Sequence, residues 1–203
     1  GGLLIKKEES HSMLLPELSV TRLSQIEICP RKFYFSNVCK ISEEELSLLE
    51  SARSVQLADF DAPVSSAERG TKVHELISQL IKSDYLPDEI DLPKTDRDKA
   101  DWAVEKVREL GENYKFYSEK QIKFEIFHYM ISGIPDLYAL NSQTGEAEIW
   151  DFKTGRFSED KLPPYWFQLY AYANGLFNLE LAKQDQPIKL VLCFVDEEKL
   201  VEK

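Results

Sequence analysis

The sequence predicts an α/β domain, with helices first and a β-β-β-α-β run after them. Three observations carry that prediction. Val73, Leu76, Ile77, Leu80 and Ile81 follow the i, i+3, i+4, i+7, i+8 spacing of an amphipathic helix over 67–82. Ile122, Phe124 and Ile126 alternate with Gln121, Lys123 and Glu125, as in a half-buried strand. Pro163 and Pro164 suit the first turn of a helix running to about Phe177, and the apolar run KLVLCFV at 189–195 reads as a final strand.

Residues 1–17 are polar and aperiodic and read as an arm or linker. From Thr21 to Asn37 the chain is aromatic and basic. Leu23, Ile26 and Phe33 suggest a helix interrupted at Pro30, which lacks an amide donor. A second, weaker helix is expected over 43–60. Segment 18–66 would then be an N-terminal helical part ahead of a core at 67–203. A loop with two prolines separates the helix at 67–82 from one at Thr95–Leu110. Thr95 and Asp98 resemble a capping box, and Gly111 is a suitable stop. Strands are expected at 131–140 and 146–153, joined by the turn-like NSQTG at 141–145.

The chain has 203 residues, 43% hydrophobic and 11% aromatic, which is enough to fill a core and unlike a disordered chain. No apolar run approaches the ~20 residues of a membrane span. Gly1-Gly2 without an initiator Met reads as a tag remnant. The chain is therefore expected to be a fragment of something longer, with no signal peptide at its start. Cys29, Cys39 and Cys193 are too few for a disulfide framework and lack zinc spacing, which fits a reducing, cytoplasmic setting. The net charge of −11 argues against a free-standing nucleic-acid binder. Much of that acid sits in Glu43-Glu44-Glu45 and between Asp84 and Asp91, away from the candidate site. A larger partner can also deliver the nucleic acid.

The hairpin holds the chemistry. A turn centred between Gln143 and Thr144 pairs Leu140 with Ala147 and Tyr138 with Ile149, and places Asp136 opposite Asp151. Opposed residues share a sheet face with Cβ atoms ~4.5–5.5 Å apart. Two such carboxylates repel unless a cation lies between them, and a hard divalent ion would do so. Alternation puts Lys153 on the face of Asp151. Two carboxylates and one ammonium suit metal-assisted phosphodiester hydrolysis. A solvated face with ordinary charges is the plainer reading. Against it, Ile134, Tyr138 and Ile149 on the same face suggest partial burial.

The segments GIPDLYAL at 133–140 and EIWDFKTGRF at 148–157 together resemble the signature of the PD-(D/E)XK nuclease superfamily. Asp-Phe-Lys-Thr-Gly is the form typical of RecB-like members, the nuclease domains that accompany DNA helicases. LSVTRLSQIEICPRKFYF at 18–35 resembles the segment that opens these domains, and RGTKVHELI at 69–77 their histidine-bearing helix. Gln168 and Tyr172, in WFQLYAYA, match the Gln-x-x-x-Tyr that follows the core. An Asp-x-Lys triplet alone is weak, but five motifs in order make a strong signal.

The resemblance implies a restriction-endonuclease-like core, a mixed central sheet flanked by helices, with an N-terminal helical extension. It implies a DNA nuclease using Mg2+ or Mn2+, working with a helicase domain or subunit in recombination and repair. His74, Asp136 and Asp151 would be metal ligands, and Lys153 the catalytic base or charge stabiliser. His74, ~100° around the wheel from Val73, sits at the margin of the apolar stripe. Gln168 and Tyr172 share a helix face and would contact a phosphate or position Lys153; a core tyrosine with a satisfied hydroxyl is the alternative. Glu119, placed on the strand before the core, is open between a metal-site role and surface charge. Arg22, Arg31, Lys32, Lys72 and Arg156 are candidate phosphate contacts. Phe33, Tyr34 and Phe35 would stack on bases or join the core. Some relatives carry an iron–sulfur cluster, and Cys29 occupies its first position. The later cysteine triplet is missing, so no cluster is expected and Cys29 reads as a buried thiol. A non-catalytic nucleic-acid-binding or scaffolding module that kept the fold is the rival reading.

Overall fold

The structure, a computed structural model, describes residues 17–28, 64–83, 90–126 and 129–203. The helix expected over 43–60 lies outside these residues. So do Cys29, Cys39, Arg31, Lys32 and Phe33 to Phe35, and the arm except for Glu17.

A five-stranded mixed sheet forms the centre. Its order is β2 (Tyr114–Ser118), β5 (Leu137–Asn141), β6 (Ala147–Lys153), β7 (Ile188–Phe194) and β8 (Lys199–Glu202). Only β6 and β7 run parallel. Parallel neighbours need a crossover, and the helix α4 (Leu162–Asn178) supplies it, with prolines in its first turn as expected. A smaller sheet orders β1 (Glu17–Ser19), β4 (Tyr129–Gly133) and β3 (Ile122–Ile126).

The single strand expected over 131–140 is two strands, one in each sheet. Ile134-Pro135-Asp136 carries the chain between them. Pro135 offers no amide to a ladder, so the pairing stops there. Neither the short β8 nor β2, whose YKFYS does not alternate cleanly, was expected from the pattern.

Helices cover both faces of the large sheet, each over its own core. On one face α2 (Val64–Lys82) and α3 (Lys94–Arg108) bury Val73, Leu76, Ala103 and Val107 against Leu137, Trp150 and Phe152. On the other, α4 and α1 (Val20–Ile28) meet Tyr138, Ile149, Leu190 and Leu192 through Leu169, Tyr172, Leu176 and Val20. Strand β6 is thus buried on both sides from Ala147 to Phe152. Two buried acids interrupt its apolar run, Glu148 and Asp151; Glu148 accepts a hydrogen bond from Trp150 Nε1 at 2.9 Å.

The capping box expected at Thr95 and Asp98 does not form. Helix α3 starts one residue earlier, with Pro93 at its cap and no side-chain cap bond. Asp98 pairs instead with Lys94 at 2.7 Å. Gly111 does end the turn region, at φ +87. No described helix is long and apolar enough to cross a membrane.

Candidate active site

The hairpin turn is held by Asn141, whose Oδ1 accepts the amides of Gln143 and Thr144 at 2.9 and 3.0 Å. The register pairs Leu140 with Ala147 and Tyr138 with Ile149, as the sequence predicts. The ladder ends at Leu137 with Trp150, one residue short of the aspartates. Asp136 therefore does not pair with Asp151. Its carboxylate turns to the end of β6, where Oδ2 accepts the Phe152 amide at 2.8 Å. Its carbonyl accepts the Glu119 amide at 3.0 Å on the β2 side. Ile134, expected to be partly buried, is 54% exposed, because it lies on the crossover between sheets.

Asp151 is buried, at 4% exposure. Burial pushes its carboxyl up to about 6, Asp136 adding to the rise and Lys153 opposing it. Lys153 Nζ lies 2.7 Å from Asp151 Oδ2, so the ammonium is the partner of that buried oxygen among the described residues. Lys153 also stands 4.4 Å over the ring of Tyr165 on α4. Burial works against its charge, yet Asp151 outweighs it and the ammonium is held above its ordinary range.

His74 arrives from the opposite face. Helix α2 packs on the Trp150 side of the sheet, and the imidazole meets Asp136 at the start of β5, with Nδ1 to Oδ2 at 3.6 Å. Burial opposes protonation, but Asp136 and then Asp151 prevail, and the His74 pKa is raised. His74, Asp136, Asp151 and Lys153 thus come together at one end of two strands. Hard carboxylate oxygens, one of them buried beside Lys153, with an imidazole close by, are the donor chemistry a hard divalent cation takes. Among the described residues no three such side chains close into a ready cage.

Glu119 is not on a strand. It sits at φ 51 in the turn after β2, and its carboxylate accepts Ser78 Oγ at 2.8 Å and lies 3.3 Å from Lys82 Nζ. With His74, Gly70 and Thr154 it lines an open pocket of about 560 Å³. Gln168 Nε2 donates to Tyr172 Oη at 3.2 Å, and that hydroxyl donates to the Ile134 carbonyl at 3.2 Å. The pair thus fastens α4 to the crossover before Asp136. Arg22 and Arg156 are exposed. Lys72 pairs with Glu68 at 3.0 Å.

Two contributors escaped the sequence reading. Tyr165 is one turn before Leu169 and looked like core. Arg69 sits in the RGTKVHELI segment and grips two carboxylates at once. It reaches Asp96 at 2.7 and 2.8 Å and Asp196 at 2.6 and 3.0 Å. Its position five residues before His74 in that segment was the available signal; its partners lie too far along the chain to be guessed. Cys193 is buried in β7, and burial pushes its thiol up to about 12, which makes it inert at neutral pH.

The mixed sheet, the helices on both faces and the crossover define the restriction-endonuclease-like α/β class. The family model of the PD-(D/E)XK nuclease superfamily matches residues 17–203, and the chain belongs to that superfamily. Its members are typically nucleases. A solved structure described as "Crystal structure of SSO0001" is similar at 20% identity, covering 98% of this chain and 68% of that one, with a TM-score of 0.43. No curated protein matches.

Proposed function

We propose that this domain hydrolyses DNA phosphodiesters with Mg2+ or Mn2+, as a RecB-like nuclease domain serving a helicase in recombination and repair. The observation that carries the reading is the buried Asp151. Its burial, its raised pKa and the Lys153 ammonium 2.7 Å away mark a carboxylate set at a functional position, with Asp136 and His74 beside it. Asp136, Asp151 and His74 would hold the metal, which when bound polarises the phosphate and acidifies a water. Lys153, held protonated beside Asp151, offsets negative charge developing on phosphorus; the direction of its shift favours that role over a base. Tyr172 and Gln168 keep the Ile134 carbonyl, and so the approach to Asp136, in place. Glu119 is a neighbour of the site through the Asp136 carbonyl. Arg22, Arg31, Lys32, Lys72 and Arg156 are the proposed phosphate contacts. The same reading places the protein in the cytoplasm and assigns it no iron–sulfur cluster; protein made anaerobically with iron and sulfide should stay colourless.

The test is direct. End-labelled single- and double-stranded DNA is incubated with the domain in Mg2+, Mn2+ or chelator, beside Asp151→Asn. Cleavage that needs metal and vanishes in the variant supports the reading. A second reading, a non-catalytic module, is favoured by the net charge of −11. DNA binding without cleavage under every metal condition would establish it.

A further inference from the structure

Directly after Lys153, β6 gives way to the loop Thr154-Gly155-Arg156-Phe157. The chain turns at Gly155, where φ is +100; the space there is open, so the backbone conformation alone calls for glycine. Two acidic side chains from the 3₁₀ turn after β7, Val195–Glu197, hold this loop by its amides. Asp196 Oδ2 accepts the Gly155 amide at 2.6 Å, and Glu197 Oε1 accepts the Phe157 amide at 2.9 Å. The Phe157 ring is fixed as well, edge-on to Phe194 at 5.1 Å with Lys199 Nζ over its face.

Arg156 stands between the two held amides. Its guanidinium is exposed and makes no ion pair among the described residues. The acids beside it are already committed, Asp196 to Arg69 and Gly155, Glu197 to Phe157. The other described arginines are mostly engaged. Arg69 grips two aspartates, Arg97 donates to the Ile90 and Leu92 carbonyls, and Arg108 donates to the Leu80 carbonyl. Arg22 is uncommitted too, but it lies on the helix α1 rather than on the loop after Lys153. An unpaired guanidinium on a backbone pinned at both sides is preorganised to meet two oxygens of an anion such as a phosphate.

We propose that Asp196 and Glu197 are positioning residues, which clamp the loop after Lys153 so that Arg156 binds a substrate backbone phosphate. The proposal rests on the nuclease reading but is read out without turnover. The probe is a fluorescein-labelled single-stranded oligonucleotide, whose anisotropy is followed in Ca2+ across a salt series. Arg156→Ala should weaken binding roughly tenfold and lower the salt slope by about 1. Glu197 is exposed, and among the described residues its side chain bonds to the Phe157 amide alone, so Glu197→Ala should melt as wild type does. It should nevertheless weaken binding by about threefold or more, and add nothing once Arg156 is gone, as coupled residues behave. Glu197→Gln keeps an acceptor and should bind like wild type. In steady-state cleavage the losses should fall on KM, with kcat close to wild type. Additive effects of Arg156→Ala and Glu197→Ala, wild-type binding by either, or no binding by the wild-type chain would each overturn the clamp. If the binding pattern holds and no oligonucleotide is ever cleaved, the nuclease reading falls and the clamp stands.

Discussion

Lys153 Nζ and Asp151 Oδ2 are 2.7 Å apart at the buried end of β6. Neither charge would be comfortable there alone. Lys153→Met keeps an aliphatic stem of similar length and removes the ammonium that stands over Tyr165. Cleavage should fall on the order of 10³-fold, with oligonucleotide binding in Ca2+ near wild type. The pH dependence of stability should change as well. A carboxyl raised to about 6 binds more protons folded than unfolded, so it lowers stability as pH climbs through that window. Without Lys153 the carboxyl rises further and the decline continues. In chelator, the gap between variant and wild type should therefore open above pH of about 6. Melts showing a gap independent of pH would mean the pair is not coupled.

Asp136 reaches the Phe152 amide and approaches His74 through the same oxygen. Asp136→Asn can still accept that amide, and it removes a charge that presses on Asp151. The variant should be no less stable than wild type in chelator. Mn2+ at a hundredfold excess over its dissociation constant should stabilise wild type by about 2.7 kcal/mol and the variant much less. Equal shifts would show that Asp136 holds no metal.

The hairpin was legible because its turn chemistry and alternation agree, and a register counted from Gln143 and Thr144 holds to Tyr138 and Ile149. The start of α4 was legible from its prolines. What lay beyond the reading is tertiary. The alternation of 131–140 ignores the sheet change at Pro135, where a missing amide outweighs side-chain pattern. That change shortens the ladder and aims Asp136 at Phe152 rather than across at Asp151. Glu119 looked like a strand residue, but it sits in a left-handed turn whose backbone N–H donates a hydrogen bond to the Asp136 carbonyl. Arg69 gave no signal of its partners, since those on α3 and after β7 become neighbours only when the sheet is built.

Arg69 ties α2 to Asp96, 7% exposed, and to Asp196. Arg69→Ala leaves both carboxylates without their cation. The expected loss is roughly 2 kcal/mol, below the range for a fully buried pair because the Arg69 side chain is partly solvated. The Arg69 hydrogen bond, foremost, holds the Asp196 carboxyl below its ordinary 3.8. A lowered carboxyl stabilises the fold above its unfolded value and loses that contribution as pH falls through the folded one. The wild-type advantage should thus be full at neutral pH and shrink below about 3.8. Denaturant titrations at both pH values check it; an advantage undiminished in acid would deny Asp196 its part.

Gly133 ends β4 against Tyr172. A Cβ built there would lie 2.6 Å from Tyr172 Cε1 and 2.9 Å from Val20 Cγ2. The ring has no easy retreat, being 2% exposed, with its hydroxyl bound to the Ile134 carbonyl and to Gln168. Gly133→Ala should therefore cost roughly 1–3 kcal/mol, the usual range for overpacking. It should also disturb the carbonyl two residues before Asp136 and slow cleavage. Tyr172→Leu removes the nearer of the two clashing atoms, so combining it with Gly133→Ala should show a favourable coupling. Chemical denaturation of the wild type, both single variants and the double measures that coupling. Additive losses would mean that Tyr172 does not pack on Gly133, and the fastening of α4 to the Ile134 crossover would be lost with it.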